Sequence, residues 1–428
     1  MSWLKKYRAR LYLRNSIWIF AAVGIVTGLL AVTLVSRFEL SLGFTPSISR
    51  ETARAIIGTV AASMFSLIVM VNSAVLLAVQ LASAQLTPRI IAFVYRSNVW
   101  KLSFAVFLFT FTFCVGVLVR IDNAVPLTGY IAAYGFLVNL GLFLYFIDGI
   151  GKTLRPSSAL RSVGLQGRRV IRSVYPFPLE PKTLATDEPL DLNEPPSRVV
   201  PNAFDGAVLA FDPKGLVSLA KRSDCLIELV PQVGDFVAVG DPLFRVFRGG
   251  GDITDRALRN SVALGQERTL DQDPMFAFRI IVDIASKALS PAINDPTTAV
   301  LAIDQIHHLL RDVGGRNLEE GRETDKEGVV RVVFRTPNWE DFVSLAVTEL
   351  RHYGRESVQV MRRLRAMLEN LMETLPDRRV PLLRKELDLL VASAERMFPD
   401  SEDQLLAETS DSQGLGGSQY GRHRFGGE

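Results

Sequence analysis

The residues best suited to chemistry are few, and two adjacent histidines are the first of them. His307 and His308 follow Asp304, and Asp304 and His308 would share one face of a helix. Imidazole nitrogens and carboxylate oxygens bind zinc, but a structural site needs about four such ligands. Because the chain has only four histidines, we interpret this group as a polar helix face and predict no metal site.

A second polar group, Asp283, Asn294 and Asp295, surrounds the junction between two expected helices. Its carboxylates and amide could form a small binding cluster. They could equally supply the capping and turn hydrogen bonds that such junctions use. We keep these three residues as a candidate polar cluster and regard capping as the simpler interpretation.

Sequence motifs for catalysis or cofactor binding are absent. The chain contains no Walker loop, GxGxxG, HExxH, CxxC or GxSxG. The run Gly249–Gly251 lacks the Lys-Ser/Thr pair of a phosphate-binding loop, so we interpret it as a hinge. The two cysteines, Cys114 and Cys225, lie in dissimilar segments, which favours a reducing compartment over a disulfide. We therefore predict a protein that is not an enzyme and binds no cofactor.

Composition changes sharply along the 428 residues. Mean hydropathy is positive although 22% of the residues are charged, because the first part is strongly apolar and the remainder resembles a soluble protein. The net charge of +3 indicates no nucleic-acid partner. We predict five segments: a four-helix transmembrane domain (1–150), a Pro-rich connection (151–198), a small β module (199–250), a mostly helical cytoplasmic domain (251–398) and a disordered tail (399–428).

Four segments are long and apolar enough to span a bilayer, which takes roughly 20 helical residues. None contains Asp, Glu, Lys, Arg or His; they are 16–35, 55–86, 102–119 and 127–147. The first lacks a cleavage site before Arg37, so we interpret it as an anchor. Basic residues concentrate in the N-terminal tail, the second loop and the stretch after the fourth segment. The positive-inside rule then predicts a multi-pass protein of the cytoplasmic (inner) membrane with both termini in the cytoplasm.

The second segment carries a polar stripe, since five of its residues fall within about 100° on a helical wheel. They are Thr59, Ser63, Ser66, Ser73 and Gln80. Such residues often pack helices together, but they could also line a wet path, for which Ser66, Ser73 and Gln80 are the candidates. The lack of ionisable residues in the spans argues against a proton-coupled transporter. Gly24 and Gly28 form a GxxxG, a signal of close helix approach.

The C-terminal half alternates β and α patterns. Within 199–247, β-branched runs alternate with turn pairs, among them Pro213-Lys214-Gly215. The run Val233–Val246 resembles half of a biotinyl/lipoyl barrel-sandwich, without the carrier lysine, so we predict a structural module. Asp273-Pro274 and Asp295-Pro296 each predict a helix start. A strand is expected at 329–336, and helices near 338–353, 355–374 and 378–397.

The long motif Val282–Ala299, preceded by Gln266–Thr269 and Gln272–Pro274, is similar to the signature of an uncharacterised bacterial membrane-protein family, domain of unknown function 2254. Leu86–Arg89 and the four spans extend the resemblance to about residues 10–400. This chain has Thr-Pro-Arg where the family often has Ser-Pro-Arg. The resemblance implies a membrane protein and brings no known activity, substrate or catalytic residue.

These patterns predict an α-helical membrane domain joined to a cytoplasmic α+β region with a barrel-sandwich-like module and a helical C-terminal part. The favoured function is an oligomeric, channel-like conduit or sensor gated by the cytoplasmic domain. Its partners would be the lipid bilayer and further copies of the chain. The alternative is a structural or signalling membrane anchor without a pore. An enzyme is a third hypothesis, which no motif supports.

Overall fold

The computed structural model describes residues 2–42, 49–90, 98–120, 126–153, 155–179, 194–318 and 321–417. The chain divides into two compact units. The N-terminal unit is Ala9–Ala159, and the C-terminal unit combines Met1–Arg8 with Leu160–Glu428.

Long apolar helices build the N-terminal unit. A basic helix, α1 (Trp3–Asn15), precedes α2 (Trp18–Leu42), α3 (Arg50–Gln85), α4 (Asn98–Val119) and α5 (Pro126–Thr153). Helices α2 to α5 are each long and apolar enough to cross a bilayer, which confirms the prediction of four apolar helices in this part of the chain. The α3 span of 35 residues is about 50 Å long at ~1.5 Å per residue, and therefore exceeds the hydrocarbon thickness of ~30 Å.

Small residues bring the backbones of α2 and α4 together. A Cβ added at Gly24 would lie 2.3 Å from the carbonyl oxygen of Ala105, and one at Gly28 would lie 2.8 Å from that of Phe109. These distances are far below van der Waals contact, so neither glycine can be replaced without separating the helices. The GxxxG of α2 is thus a close-packed surface against α4.

A buried amide joins α4 to α5. Asn139 is 1% exposed and donates hydrogen bonds to Thr110 Oγ1 at 2.7 Å and to the Gly135 carbonyl at 2.6 Å. Within apolar surroundings an unbonded amide is costly, so this contact favours one rotational setting of the two helices.

Two open sheets and a helical layer form the C-terminal unit. After α6 (Pro156–Val174), the chain continues through β1 (Arg198–Pro201), β2 (Gly206–Phe211), α7 (Pro213–Arg222), β3 (Leu226–Leu229), β4 (Phe236–Val237), β5 (Pro242–Phe247), α8 (Asp255–Arg259), β6 (Val262–Gly265), α9 (Pro274–Ala288), α10 (Pro296–Gly314), β7 (Gly321–Thr324), β8 (Val330–Phe334), α11 (Trp339–Tyr353), α12 (Val358–Thr374), α13 (Val380–Met397) and α14 (Ser401–Ala407). The strand at 329–336 and the three helices that follow agree with their predicted positions.

The strands do not close into a barrel within the described residues. One sheet has the order β1-β5-β3-β8-β7, and the other has the order β4-β2-β6. Strands of the expected 199–250 module are shared between the two sheets, and β3 pairs in parallel with β8, far along the chain. The barrel-sandwich therefore remains unconfirmed. The five-stranded sheet packs on buried side chains that include Ile227, Phe244 and Val332.

One predicted turn is wrong. Pro213-Lys214-Gly215 opens helix α7, in which Asp212 Oδ1 accepts a hydrogen bond from the Gly215 amide at 3.0 Å. The helix start is the same Asp-Pro signal that begins α9 and α10, where Asp273 and Asp295 cap the helices. Gly215 and the neighbouring turn pairs resemble hairpin connections, so the sequence pattern predicted a turn here instead of a helix.

The C-terminal stretch also differs from the disordered tail expected from residue 399. After α14, the chain folds over Arg362, whose buried guanidinium donates to the carbonyls of Thr409 (3.0 Å), Gly416 (3.1 Å) and Gly417 (2.8 Å). Asp411 accepts hydrogen bonds from backbone amides of the same loop. A buried guanidinium needs acceptors, and these loop carbonyls supply them. Residues 418–428 lie outside the described residues.

We expect Gly24→Leu to disrupt the N-terminal unit, because its side chain would overlap the Ala105 backbone. The matched control is Gly141→Leu on α5, where a Cβ has no heavy atom within 4 Å. Thermal unfolding in detergent should show a much lower midpoint for Gly24→Leu and an almost unchanged one for the control. Equal midpoints for the two variants would contradict the close packing of α2 and α4.

Candidate functional site

The polar stripe lies on the outer face of the N-terminal unit. Thr59, Ser66, Ser73 and Gln80 recur every seven residues along α3 and are all exposed, whereas Ser63 is half-buried. The opposite side of α3 packs on the other spans through buried residues such as Met64, Val71 and Val75. Among the described residues, the four exposed members of the stripe therefore make no core contact, and they are available to lipid, water or a second molecule.

The members of the stripe differ in their hydrogen bonding. The hydroxyls of Thr59 and Ser66 donate to the carbonyls of Ala55 (2.8 Å) and Ala62 (3.2 Å) within α3. Ser73 and Gln80 have no hydrogen-bond partner among the described residues. An unbonded carboxamide in hydrocarbon is costly, so Gln80 needs water or another polar group wherever it lies within the bilayer core.

The histidine group is a polar contact between α10 and α12. His307 Nε2 lies 2.9 Å from Asn370 Oδ1, and Arg363 donates to Asp304 at 2.7 Å. Burial, reinforced by the nearby charge of Arg363, lowers the pKa of His307. The described residues hold no cluster of three His, Cys, Asp or Glu side chains that could bind a metal.

The three members of the candidate polar cluster have separate local contacts. Asp283 accepts a 2.6 Å hydrogen bond from Arg279, which also contacts both carboxylate oxygens of Glu349 on α11 at 2.5 and 2.7 Å. Asp295 caps α10 by accepting from the Thr298 amide at 3.0 Å. Asn294 occupies the left-handed region at φ 49° in the junction. Sequence reasoning missed Glu349, because only the packing of α9 against α11 brings it to Arg279.

Asp273 is the most perturbed carboxyl group near the family motif. It is 2% exposed, and its Oδ1 accepts from the Phe276 amide at 3.0 Å. Its Oδ2 has no hydrogen-bond partner among the described residues and lies 3.9 Å from Arg268 Nη1. Burial raises the pKa of Asp273 to about 6, and Arg268 opposes that rise. Sequence analysis treated this residue only as a helix cap.

We expect Asp273→Asn to make the protein more stable at neutral pH. The folded-state pKa is raised, so the folded protein binds the proton more tightly, and this contribution to stability is lost as the pH rises from about 4 to about 6. Asn caps helices as well as Asp and carries no buried charge. Thermal unfolding in detergent should give a higher midpoint for the variant at about pH 7.5 and a nearly equal one at about pH 4.

Asp295→Asn is the matched control, because Asp295 caps α10 in the same way but is less buried. Its midpoint should differ from that of the unmodified protein by a similar amount at both pH values. A midpoint for Asp273→Asn that falls equally at both pH values would contradict the buried-charge interpretation.

Comparison with known proteins agrees with the four spans. A family model described as "Predicted membrane protein (DUF2254)" matches residues 14–370. Uncharacterised proteins of Mycobacterium bovis and Mycobacterium tuberculosis are each 27% identical to this chain over 425 residues, covering 92% of the chain and 79% of each relative. No solved structure matches. The match over most of the chain shows that this protein belongs to the DUF2254 family of predicted membrane proteins.

Proposed function

We propose that copies of this protein assemble in the membrane along the outer face of α3, and that the polar stripe lines a conduit which the C-terminal unit gates. The observation that carries the proposal is the exposure of Thr59, Ser66, Ser73 and Gln80 at seven-residue spacing on one outward face. A face of this kind is poorly suited to lipid contact, and another copy of the same helix can cover it.

The spacing of the outward residues also fits helix pairing. Between the polar positions lies a second row with the same period, consisting of Ala55, Ala62, Val69 and Leu76, and all four are exposed. Together the two rows give the 3.5-residue period that keeps one seam in contact when helices supercoil. Small side chains in this seam allow the backbones to approach closely.

The chemistry of the stripe suits a small hydrated solute. Hydroxyl and carboxamide groups at Ser66, Ser73 and Gln80 can replace part of a hydration shell. The apolar segments 16–35, 55–86, 102–119 and 127–147 contain no Asp, Glu, Lys, Arg or His, so the conduit would lack a proton relay. The proposal involves no catalysis and no cofactor. Its partners are lipid and further copies of the chain, and nucleic acid is not among them.

One observation favours the alternative, an anchor without a pore. The Thr59 and Ser66 hydroxyls donate to carbonyls of their own helix, so these two residues can lie in a dry interface without further partners. In that case α3 would join copies into a packed structural or signalling assembly.

We expect Ser73→Leu and Gln80→Leu to reduce solute flux in reconstituted vesicles while the oligomer persists in detergent, because leucine would narrow and dewet the path. Thr27→Leu is the matched control, since Thr27 is exposed on α2, and it should leave flux unchanged. Loss of the oligomer in the α3 variants would support the dry anchor. Unchanged flux with both leucines present would refute the lining role.

For membrane orientation, we propose that both termini lie in the cytoplasm. Single cysteines at Ser49, before α3, and at Asn123, outside the described residues, should then react with an impermeant maleimide on intact cells. Each single cysteine is introduced into a variant from which the two native cysteines, Cys114 and Cys225, have been removed; both are buried. Protection of both positions on intact cells, with reaction after lysis, would contradict this orientation.

A further inference from the structure

Helix α6 is strongly amphipathic, and its apolar face packs within the C-terminal unit. Leu160 and Val163 are each 1% exposed, and Ile171 is fully buried. A Cβ added at Gly167 would lie 2.7 Å from the Cβ of Ala277 on α9, so the α6 backbone packs closely there. The apolar face is therefore covered by protein and unavailable to lipid.

The opposite face of α6 is basic. Four arginines fall within an arc of about 100° on the helix, and the helix contains no acidic residue; they are Arg161, Arg168, Arg169 and Arg172. Asp312 pairs with Arg168 at 2.7 Å and with Arg172 at 3.5 Å. Arg161 and Arg169 are exposed and have no ion-pair partner among the described residues. Among the described residues, one carboxylate therefore pairs with two of the four guanidinium groups, and the other two have none.

The chain places the start of α6 close to a membrane surface. The span in α5 ends at Lys152, α5 itself ends at Thr153 and α6 begins at Pro156. Three Cα steps of ~3.8 Å cover at most about 11 Å, so the first turn of α6 lies near the headgroups at that end of α5. Free amphipathic helices enter this region with their apolar face, but here that face is already packed on α9 and α10.

We propose that the arginine face of α6 binds phosphate groups of anionic phospholipids in the leaflet at which α5 ends. The planar guanidinium fork matches two phosphate oxygens at once, and the attraction acts within a Debye length of ~8–10 Å. The proposal rests on α5 being a membrane span and is independent of the proposed conduit. The alternative is that these arginines serve only to orient the spans. They would then act during membrane insertion and need no lipid contact in the folded protein.

The test uses the full-length protein in a zwitterionic detergent, to which phosphatidylglycerol or phosphatidylcholine is added. Phosphatidylglycerol should raise the thermal unfolding midpoint by mass action, and phosphatidylcholine should not. The variant Arg161→Gln/Arg169→Gln should lose most of that rise. The matched control Arg335→Gln/Arg384→Gln removes two arginines that are also exposed and unpaired among the described residues, and it should keep the rise.

A second test measures how the rise in unfolding midpoint caused by phosphatidylglycerol depends on salt, and it needs no variant. Raising NaCl from about 0.1 M to about 1 M shortens the Debye length to ~3 Å, so the rise caused by phosphatidylglycerol in the unmodified protein should largely disappear. Equal rises with the two lipids, an equal loss in both double variants, or a rise that survives high salt would each overturn the proposal. A comparable rise with inorganic phosphate alone would also overturn it, because the site would then bind free phosphate.

Discussion

A polar group taken out of water is costly unless it is hydrogen-bonded, and this cost shapes both units. In the N-terminal unit the solvent is hydrocarbon, so Asn139 is bonded inside the bundle to Thr110 and Gly135. The same cost applies to the polar side chains on the outer face of α3. Gln80 points away from its own chain without a partner among the described residues. Water or another copy of the helix can meet that need, and the hydrocarbon of the bilayer cannot.

In the C-terminal unit, arginines link elements that are far apart in the chain. Arg279 joins α9 to α11 through Glu349, whose carboxyl has a lowered pKa because it accepts hydrogen bonds from that guanidinium. Arg362 holds the stretch after α14 through three backbone carbonyls. Arg362 is fully buried, so a packing without these carbonyls would leave its charge without acceptors.

The two proposed functional surfaces, on α3 and α6, are both polar faces that point away from the packed interior of the protein. The outward face of α3 offers hydroxyl and carboxamide groups, and the outward face of α6 offers Arg161 and Arg169, which have no ion-pair partner among the described residues. Both helices have an opposite face that is packed in the protein, through Met64 on α3 and Ile171 on α6. Their polar faces are thereby exposed, as the proposed contacts with a neighbouring copy and with lipid headgroups require.

The sequence alone determined the features that depend on local pattern: four uncharged apolar spans, the Asp-Pro starts of α9 and α10, and the helices after residue 338. Hydropathy and capping depend on contiguous residues, so they can be recognised in the sequence without knowledge of the fold. Tertiary structure alone decided the pairing of β3 with β8, the joining of Asp283 to Glu349 through Arg279 and the burial that perturbs Asp273. It also decided which side of α3 faces outward. These depend on residues far apart in the chain, and a helical wheel shows that polar residues share a face but not what that face contacts.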